Sequence, residues 1–474
     1  MAFTAPADRA PLVTMASGLE APQRSRRAVW GWMLFDWAAQ PFHTLLLTFF
    51  FARYFTSSVV EGGGAEAQTL WATMLTGAGL LIAFSAPVLG AVADAVGPRK
   101  PWIALFTAMA LVGTAGLWIA VPNASDALVL QVLLLFAVAM VGIEFAAVFN
   151  NAMMVDLVPR ERLGRLSGSS WALGYAGGVA VLVIVLALMI ESSPGSGHTL
   201  LGLVPILGLA DVPGGGDRAV GPLTALWLLV FIVPLFVWTP DLPPRARVNG
   251  AVVREALREL GRTLRRLPSR RSLATYLVSS MFYRDALNAL YGFGGVYAGG
   301  VLQWSATKLG VFGVIAAVTG AAGAWAGGRA DERFGPKAVV AVSIVALALT
   351  ALMIVLTDRT SVAGFAVEPV VADAVFFVAG ALIGAFGGAL QAASRTLLAD
   401  QAEPGRTAEA FGLYALSGKA TSFLAPAMIA VMTGAVATDL LGLESADAQR
   451  LGISPIVLLF VVGLVMLPKV RQRL

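Results

Sequence analysis

The chain has 474 residues, of which 58% are hydrophobic and only 13% charged, with a mean hydropathy of +0.79. This composition excludes an ordinary soluble globular protein and points to a polytopic membrane protein. The formal net charge is +5 and there are no cysteines, which removes disulfides, thiolate metal sites and cysteine nucleophiles together. The net charge implies no nucleic-acid partner, because in a membrane chain the position of charges matters more than their sum.

In chain order, residues 1–29 read as a polar tail ending in Arg24, Arg26 and Arg27, with no apolar segment of signal-peptide kind. Crossing about 30 Å of hydrocarbon takes roughly 20 helical residues. Apolar stretches of that order occur at 30–54, 70–93, 102–121, 127–155, 167–190 and 222–238. A second set follows at 273–298, 309–326, 338–356, 374–398, 408–436 and 453–467. The expected fold class is therefore all-α, with twelve transmembrane helices in two six-helix halves, 30–240 and 272–468. The segment 198–210, apolar but interrupted by Pro205, is too short to span. It reads as a hairpin or interfacial turn, or as a re-entrant lid.

Between the halves lies a basic linker, 241–271, with Arg245, Arg247, Arg254, Arg258, Arg262, Arg265, Arg266, Arg270 and Arg271. Its middle reads as an amphipathic helix over 251–267, with Val252, Leu257, Leu260, Leu264 and Leu267 on one side, expected to lie along a membrane surface. Lys and Arg near the span ends number 25 on the linker side against 4 on the other. That asymmetry predicts a cytoplasmic linker, N-terminus and tail 469–474.

The halves repeat one another. Gly90, Asp94, Gly97, Pro98 and Arg99 recur as Gly328, Glu332, Gly335, Pro336 and Lys337, each offset by 238. Asp156, Arg162, Gly168 and Gly174 recur as Asp400, Arg406, Gly412 and Gly418, each offset by 244. Duplicated halves of this kind place a substrate site near the midplane between them and work by rocking around it.

The Gly90–Lys100 element resembles the loop signature of the major facilitator superfamily. Phe35-Asp36-Trp37-Ala38, Phe149-Asn150-Asn151-Ala152, Tyr283-Arg284-Asp285 and Gln391-Ala-Ala-Ser394-Arg395 resemble the family that includes the autophagy-related vacuolar amino-acid effluxer and its bacterial relatives. Glu332 stands where Asp is usual, and Gln40-Pro41 departs from the small polar pair of that family. The resemblance implies that Asp94 latches the outward-facing state by capping span eleven, and that spans one, four, seven and ten line the cavity. Gly90, Gly97, Arg99, Lys100, Glu332, Gly335 and Lys337 complete the gating loops.

Ionisable groups inside spans are costly and face a bundle interior or an aqueous cavity. The candidates are Asp36, Gln40 and His43 in the first span, Glu144 and Asn151 in the fourth, and Arg284, Asp285 and Asn288 in the seventh. Tyr175, Gln391, Arg395 and Lys419 join them from spans five, ten and eleven. Asp36 and Asp285 read either as proton or cation sites or as members of satisfied pairs with Arg284, Lys419 or a backbone amide. Glu144 reads as proton carrier or internal salt bridge, and His43 as an interior hydrogen-bonded histidine or a relay. No phosphate loop, nucleophile elbow or zinc-protease pattern occurs, so an enzyme is not expected, nor is any cofactor or metal.

The expected function is secondary active transport of a small polar organic solute by a monomer in a bacterial inner membrane. Resemblance makes amino-acid efflux coupled to protons the leading form. Uptake of a sugar or carboxylate is the alternative within transport, and a non-transporting receptor or scaffold is the alternative outside it.

Overall fold

The computed structural model describes residues 25–62, 64–192, 196–304 and 306–472. The expected tail over 1–29 therefore lies outside the described residues up to residue 24. The chain is a helix bundle. Ten helices among the described residues are long and apolar enough to cross a membrane. Two more helical stretches complete a series of twelve: 26–59, and Arg271–Gly300, which carries Arg284 and Asp285 at mid-length. In a bilayer this architecture satisfies most backbone groups within their own helices.

The first span is not a regular helix. It runs as α-helix from Arg26 to Pro41 and then passes through π-helical turns over Phe42–Phe49 and Phe55–Val59. Pro41 cannot donate to the helical ladder, and the π register begins at the next residue. The eleventh span is broken as well, into Thr407–Ala420, Leu424–Val431 and a π stretch over Met432–Leu440.

Each half closes against the other through glycines. A Cβ on Gly168 would fall 2.7 Å from Gly328 Cα, so the fifth and eighth spans cross backbone to backbone. In the mirror position, a Cβ on Gly412 would fall 2.8 Å from Pro87 Cα, and one on Gly90 would meet the Ala408 carbonyl, so the eleventh and second spans cross likewise. Small residues at such crossings bring helices within van der Waals contact where lipid offers no hydrophobic drive. Gly323, Gly327, Gly384 and Gly388 do the same between the eighth and tenth spans.

The linker helix spans Gly250–Arg266 and starts where the Asn249 side chain accepts the Val252 amide at 2.9 Å. Its buried face, Ala256 and Leu260, packs on Ala91 and Val92 of the second span. The sequence led us to expect this stripe on a membrane surface. Instead the protein covers part of it, and Leu257 and Leu264 are each left 44% exposed. The segment expected as a hairpin or lid, 198–210, forms turns and a short 3₁₀ element over Ile206–Asp211, with Leu200, Leu201 and Leu207 exposed. A two-stranded hairpin pairing Ser361–Val362 with Phe365–Ala366 was not expected.

If the fifth and eighth spans need their glycine contact, Gly328→Leu will lower stability by about 1–3 kcal/mol, the range for overpacked interiors. Gly261→Ala, in open space on the linker helix, will leave it unchanged or slightly raised. Thermal unfolding in detergent measures both, and equal midpoints would discount the contact.

Candidate functional site

Polar residues bought into a bundle interior must be paired, and the structure pairs most of them across the two halves. At the seam, Arg395 of the tenth span donates from Nη1 to Asp36 Oδ2 and to Asn151 Oδ1, both at 3.0 Å. Its Nε reaches Ser167 Oγ at 3.0 Å and its Nη2 the Ser167 carbonyl at 2.7 Å. Every one of these acceptors belongs to the N-terminal half. Ser170 Oγ donates to the same Asp36 oxygen at 2.6 Å. The indoles of Trp171 and Trp32 stand 5.2 and 5.8 Å from the guanidinium carbon, within cation–π range.

A second cross-half pair lies nearer the midplane. Lys419 Nζ donates to Glu144 Oε1 at 3.1 Å, and His43 stands within electrostatic reach of both. A third contact is uncharged: Gln391 Nε2 donates to the Tyr175 hydroxyl at 3.0 Å, which meets Tyr291 at 3.4 Å. Tyr291 is 42% exposed although it reaches across the seam, so open space begins at this level. Asn288, one turn earlier on the same helix, is exposed too. Gln40 packs against the fifth span, where a Cβ on Gly178 would lie 2.9 Å from its Cγ.

Arg284 and Asp285 go separate ways, as adjacent helical positions must. Arg284 lies 3.8 Å over the Tyr414 ring and donates to the Tyr414 carbonyl at 2.8 Å. Asp285, 3% exposed, accepts the Ala425 amide at 2.7 Å, capping the second piece of the broken eleventh span.

The duplicated loops join the halves at the linker face. Asp94 accepts the Ala408 and Glu409 amides at 3.2 and 2.8 Å, at the first turn of the eleventh span. It is held by Arg99, which also reaches Asp156 at 2.5 Å. Gly97 and Gly335 both take positive φ, 106° and 80°, which glycine alone adopts without strain. Lys100 donates to the Phe236 carbonyl, and Lys337 to the Pro468 and Val470 carbonyls. The repeat pairs Asp94 with Glu332, yet the structure places Asp331 in the mirror position. A Cβ on Gly164, at the start of the fifth span, would lie 2.6 Å from the Asp331 side chain. Successive helical residues point about 100° apart, so only one of the two can face that span. Glu332 turns outward to Arg165 at 2.5 Å. Arg160 completes the closure on Asp400 at 2.6 Å.

Comparison with known proteins fits this geometry. A sequence model described as "vacuole effluxer Atg22 like" matches residues 72–473. The chain belongs to the Atg22-like vacuole effluxer family. It is 25% identical over 447 residues to the uncharacterized MFS-type transporter YxiO of Bacillus subtilis, covering 93% of this chain and 94% of that one. It is 23% identical over 278 residues to autophagy-related protein 22-1 of Aspergillus niger, 57% of this chain but 42% of that longer protein. Among solved structures, the MFS transporter FucP in the outward conformation superposes with a TM-score of 0.68 at 16% identity, covering 94% of this chain and 99% of FucP. A bacterial homologue of the iron transporter ferroportin in the outward-facing state gives 0.64 at 15% identity, covering 94% of this chain and 98% of that one. This Atg22-like protein thus has the major facilitator fold and is an MFS-type transporter, not an enzyme.

Sequence reasoning placed Asp36, Glu144, Asn151, Tyr175, Gln391, Arg395 and Lys419 in the interior; for Asp36 and Asp285 it offered Arg284, Lys419 or a backbone amide, whereas Asp36 meets Arg395 and Asp285 the Ala425 amide. It missed Ser167, Ser170, Trp32 and Tyr291. The two serines stand three apart on the fifth span, and that spacing was the available signal.

Because Arg395 and Asp36 are both largely enclosed, removing one partner strands the other. Arg395→Gln will cost about 3–5 kcal/mol in stability, whereas Arg395→Gln combined with Asp36→Asn will cost clearly less than the sum of the two single changes. A double-mutant cycle by thermal unfolding checks this, and additive losses would show the pair to be energetically uncoupled.

Proposed function

We propose that the chain moves a small zwitterionic solute, an amino acid, by alternating access, exporting it in exchange with protons. The observation that carries this reading is the pair of cross-half ion pairs, Asp36–Arg395 and Glu144–Lys419. Glu144–Lys419 sets one carboxylate and one cation in a partly open position, Asp36–Arg395 sets a second such pair enclosed in the seam, and a zwitterion offers the complementary two charges. Substrate carboxylate competes for Lys419 and Arg395, and substrate ammonium for Glu144 and Asp36. Protonation of Glu144 and Asp36 from the outer side removes the charges that hold the substrate ammonium and favours its release, which ties proton entry to solute exit. His43 is positioned to pass that proton.

The membrane is the inner membrane of a bacterium, with the linker and both termini cytoplasmic, a reading supported by the Lys and Arg asymmetry. Among the described residues, the hydrogen bonds and ion pairs between halves lie from the linker face to the level of Tyr175 and Lys419. With the linker in the cytoplasm, this is the outward-facing arrangement. Return to the inward-facing arrangement requires the Asp94, Arg160 and Arg165 contacts to part.

Proteoliposomes loaded with a labelled amino-acid pool, with and without an imposed pH gradient, test this reading. Wild type will show gradient-dependent flux. Glu144→Gln and Asp36→Asn will each lose about tenfold or more, corresponding to about 1.4 kcal/mol of differential stabilisation. Folded wild type with no flux of any amino acid would reject the substrate class, and equal flux without the gradient would reject proton coupling.

A further inference from the structure

A cleft of about 830 Å³ opens at the linker face, away from the seam between the halves, lined by Ser269, Arg270, Arg271, Ser272, Gln401, Lys469 and Arg471 among others. We propose that this cleft binds the phosphate headgroup of an anionic phospholipid. It is a built site. Gln401, at the end of the tenth span and buried, accepts from Ser272 Oγ at 2.6 Å and donates to the Arg471 carbonyl at 2.8 Å. The Arg471 amide returns to Ser272 Oγ at 2.8 Å. Lys337 grips the carbonyls on either side of Lys469. These bonds fold the C-terminal tail back on the start of the seventh span and hold three cations around one opening.

Only Arg270 of the four cations is drawn aside, to Glu403 at 3.4 Å and to the Gln401 carbonyl. Arg271, Lys469 and Arg471 are exposed, and their recorded ion pairs with carboxylates are none among the described residues. A phosphate fits such a cluster, since it offers several acceptor oxygens and a charge that these three leave unanswered. Phosphate could come from a lipid or from solution, and the position of the cleft favours a lipid. It sits where the seventh span begins, the tenth ends and the twelfth ends, which is the level of the membrane boundary. The seventh and twelfth spans pack together above it at Gly463, beside Ser279 and Tyr283. On their outer surface Val278, Val461 and Val465 are exposed, the last 67%. Val278 lies seven residues beyond Arg271, and Val465 four before Lys469, so each apolar patch continues a cationic position along its own helix face. A headgroup in the cleft therefore has an exposed apolar surface for its acyl chains along the same helix faces.

The test uses the full chain in nanodiscs of phosphatidylcholine doped with phosphatidylglycerol, with retained lipid counted by native mass spectrometry after extraction. Wild type will retain phosphatidylglycerol in preference to phosphatidylcholine. Combining Arg271→Gln, Lys469→Gln and Arg471→Gln will reduce that preference by about fivefold per cation removed, on the order of 100-fold together. The control combination Arg254→Gln, Arg265→Gln and Arg266→Gln removes the same charge from the exposed linker helix and will leave it within about twofold. Arg271→Lys with Arg471→Lys will retain it, which separates lost charge from lost folding. Equal loss in both glutamine sets would overturn the proposal in favour of diffuse surface attraction. Displacement of the lipid by inorganic phosphate would also overturn it, by assigning the cleft to a soluble anion, as would absence of any lipid preference in wild type.

Discussion

A guanidinium in a helix bundle carries five donors and a charge that cannot be shed, so everything around it must be arranged to satisfy it. Arg395 meets that constraint only when the halves are closed at the linker face. Its acceptors, Asp36, Asn151 and both oxygens of Ser167, are all on the opposite half. Closing the seam satisfies the guanidinium with protein. Opening it must substitute water or a ligand carboxylate. Opening the seam there would leave five guanidinium donors without these protein acceptors.

The glycine crossings make that closure geometrically available. Backbones at Gly168 and Gly328, and at Gly90 and Ala408, approach so closely that no side chain fits between them, and the short polar contacts of Asp94 and Arg395 require this approach. The two crossings are related by the internal repeat, yet their chemistry differs. Asp94 caps the eleventh span through two amides, while Asp331, its structural counterpart, is buried against Gly164 with one carboxylate oxygen unpartnered. The latch on one side is therefore a helix cap that favours a carboxylate at a positive helix end. On the other side exposed Arg165 pairs with Glu332, which is itself only 16% exposed.

Much of this was legible in the chain. Span number, the central linker helix and the duplicated loops follow from hydropathy and from an offset that is constant over whole motifs, because bilayer thickness dictates length and repeats preserve spacing. The interior location of Asp36, Glu144, Arg395 and Lys419 follows as well, since charge in hydrocarbon is affordable only facing inward. Pairing was not legible. Asp36 and Arg395 are 359 residues apart, and no local pattern says which acid meets which base. The choice between Asp331 and Glu332 depended on helix rotation, which adjacent acids in sequence leave open. The π turns after Pro41 and the break after Ala420 were missed because both stretches are as apolar as a continuous span, and irregular backbone at depth is set by what packs against it.

That break gives Asp285 its role. The eleventh span stops at Ala420 and restarts at Leu424, so a helix N-terminus with unsatisfied amides lies inside the bundle. Such an end carries partial positive charge and attracts a carboxylate. Asp285 accepts the Ala425 amide there, and among the described residues its recorded partner is this amide rather than a cation. The seventh span is in this way fastened to the outer piece of the eleventh, while Arg284 on the same helix is fastened to the inner piece through Tyr414. Two neighbouring residues of one helix hold the two sides of a break in another. The seventh span therefore touches both pieces, and Lys419, whose partner Glu144 lies on the fourth span, sits on the inner piece just before the break. The ion pair between the halves is thus mounted beside the break.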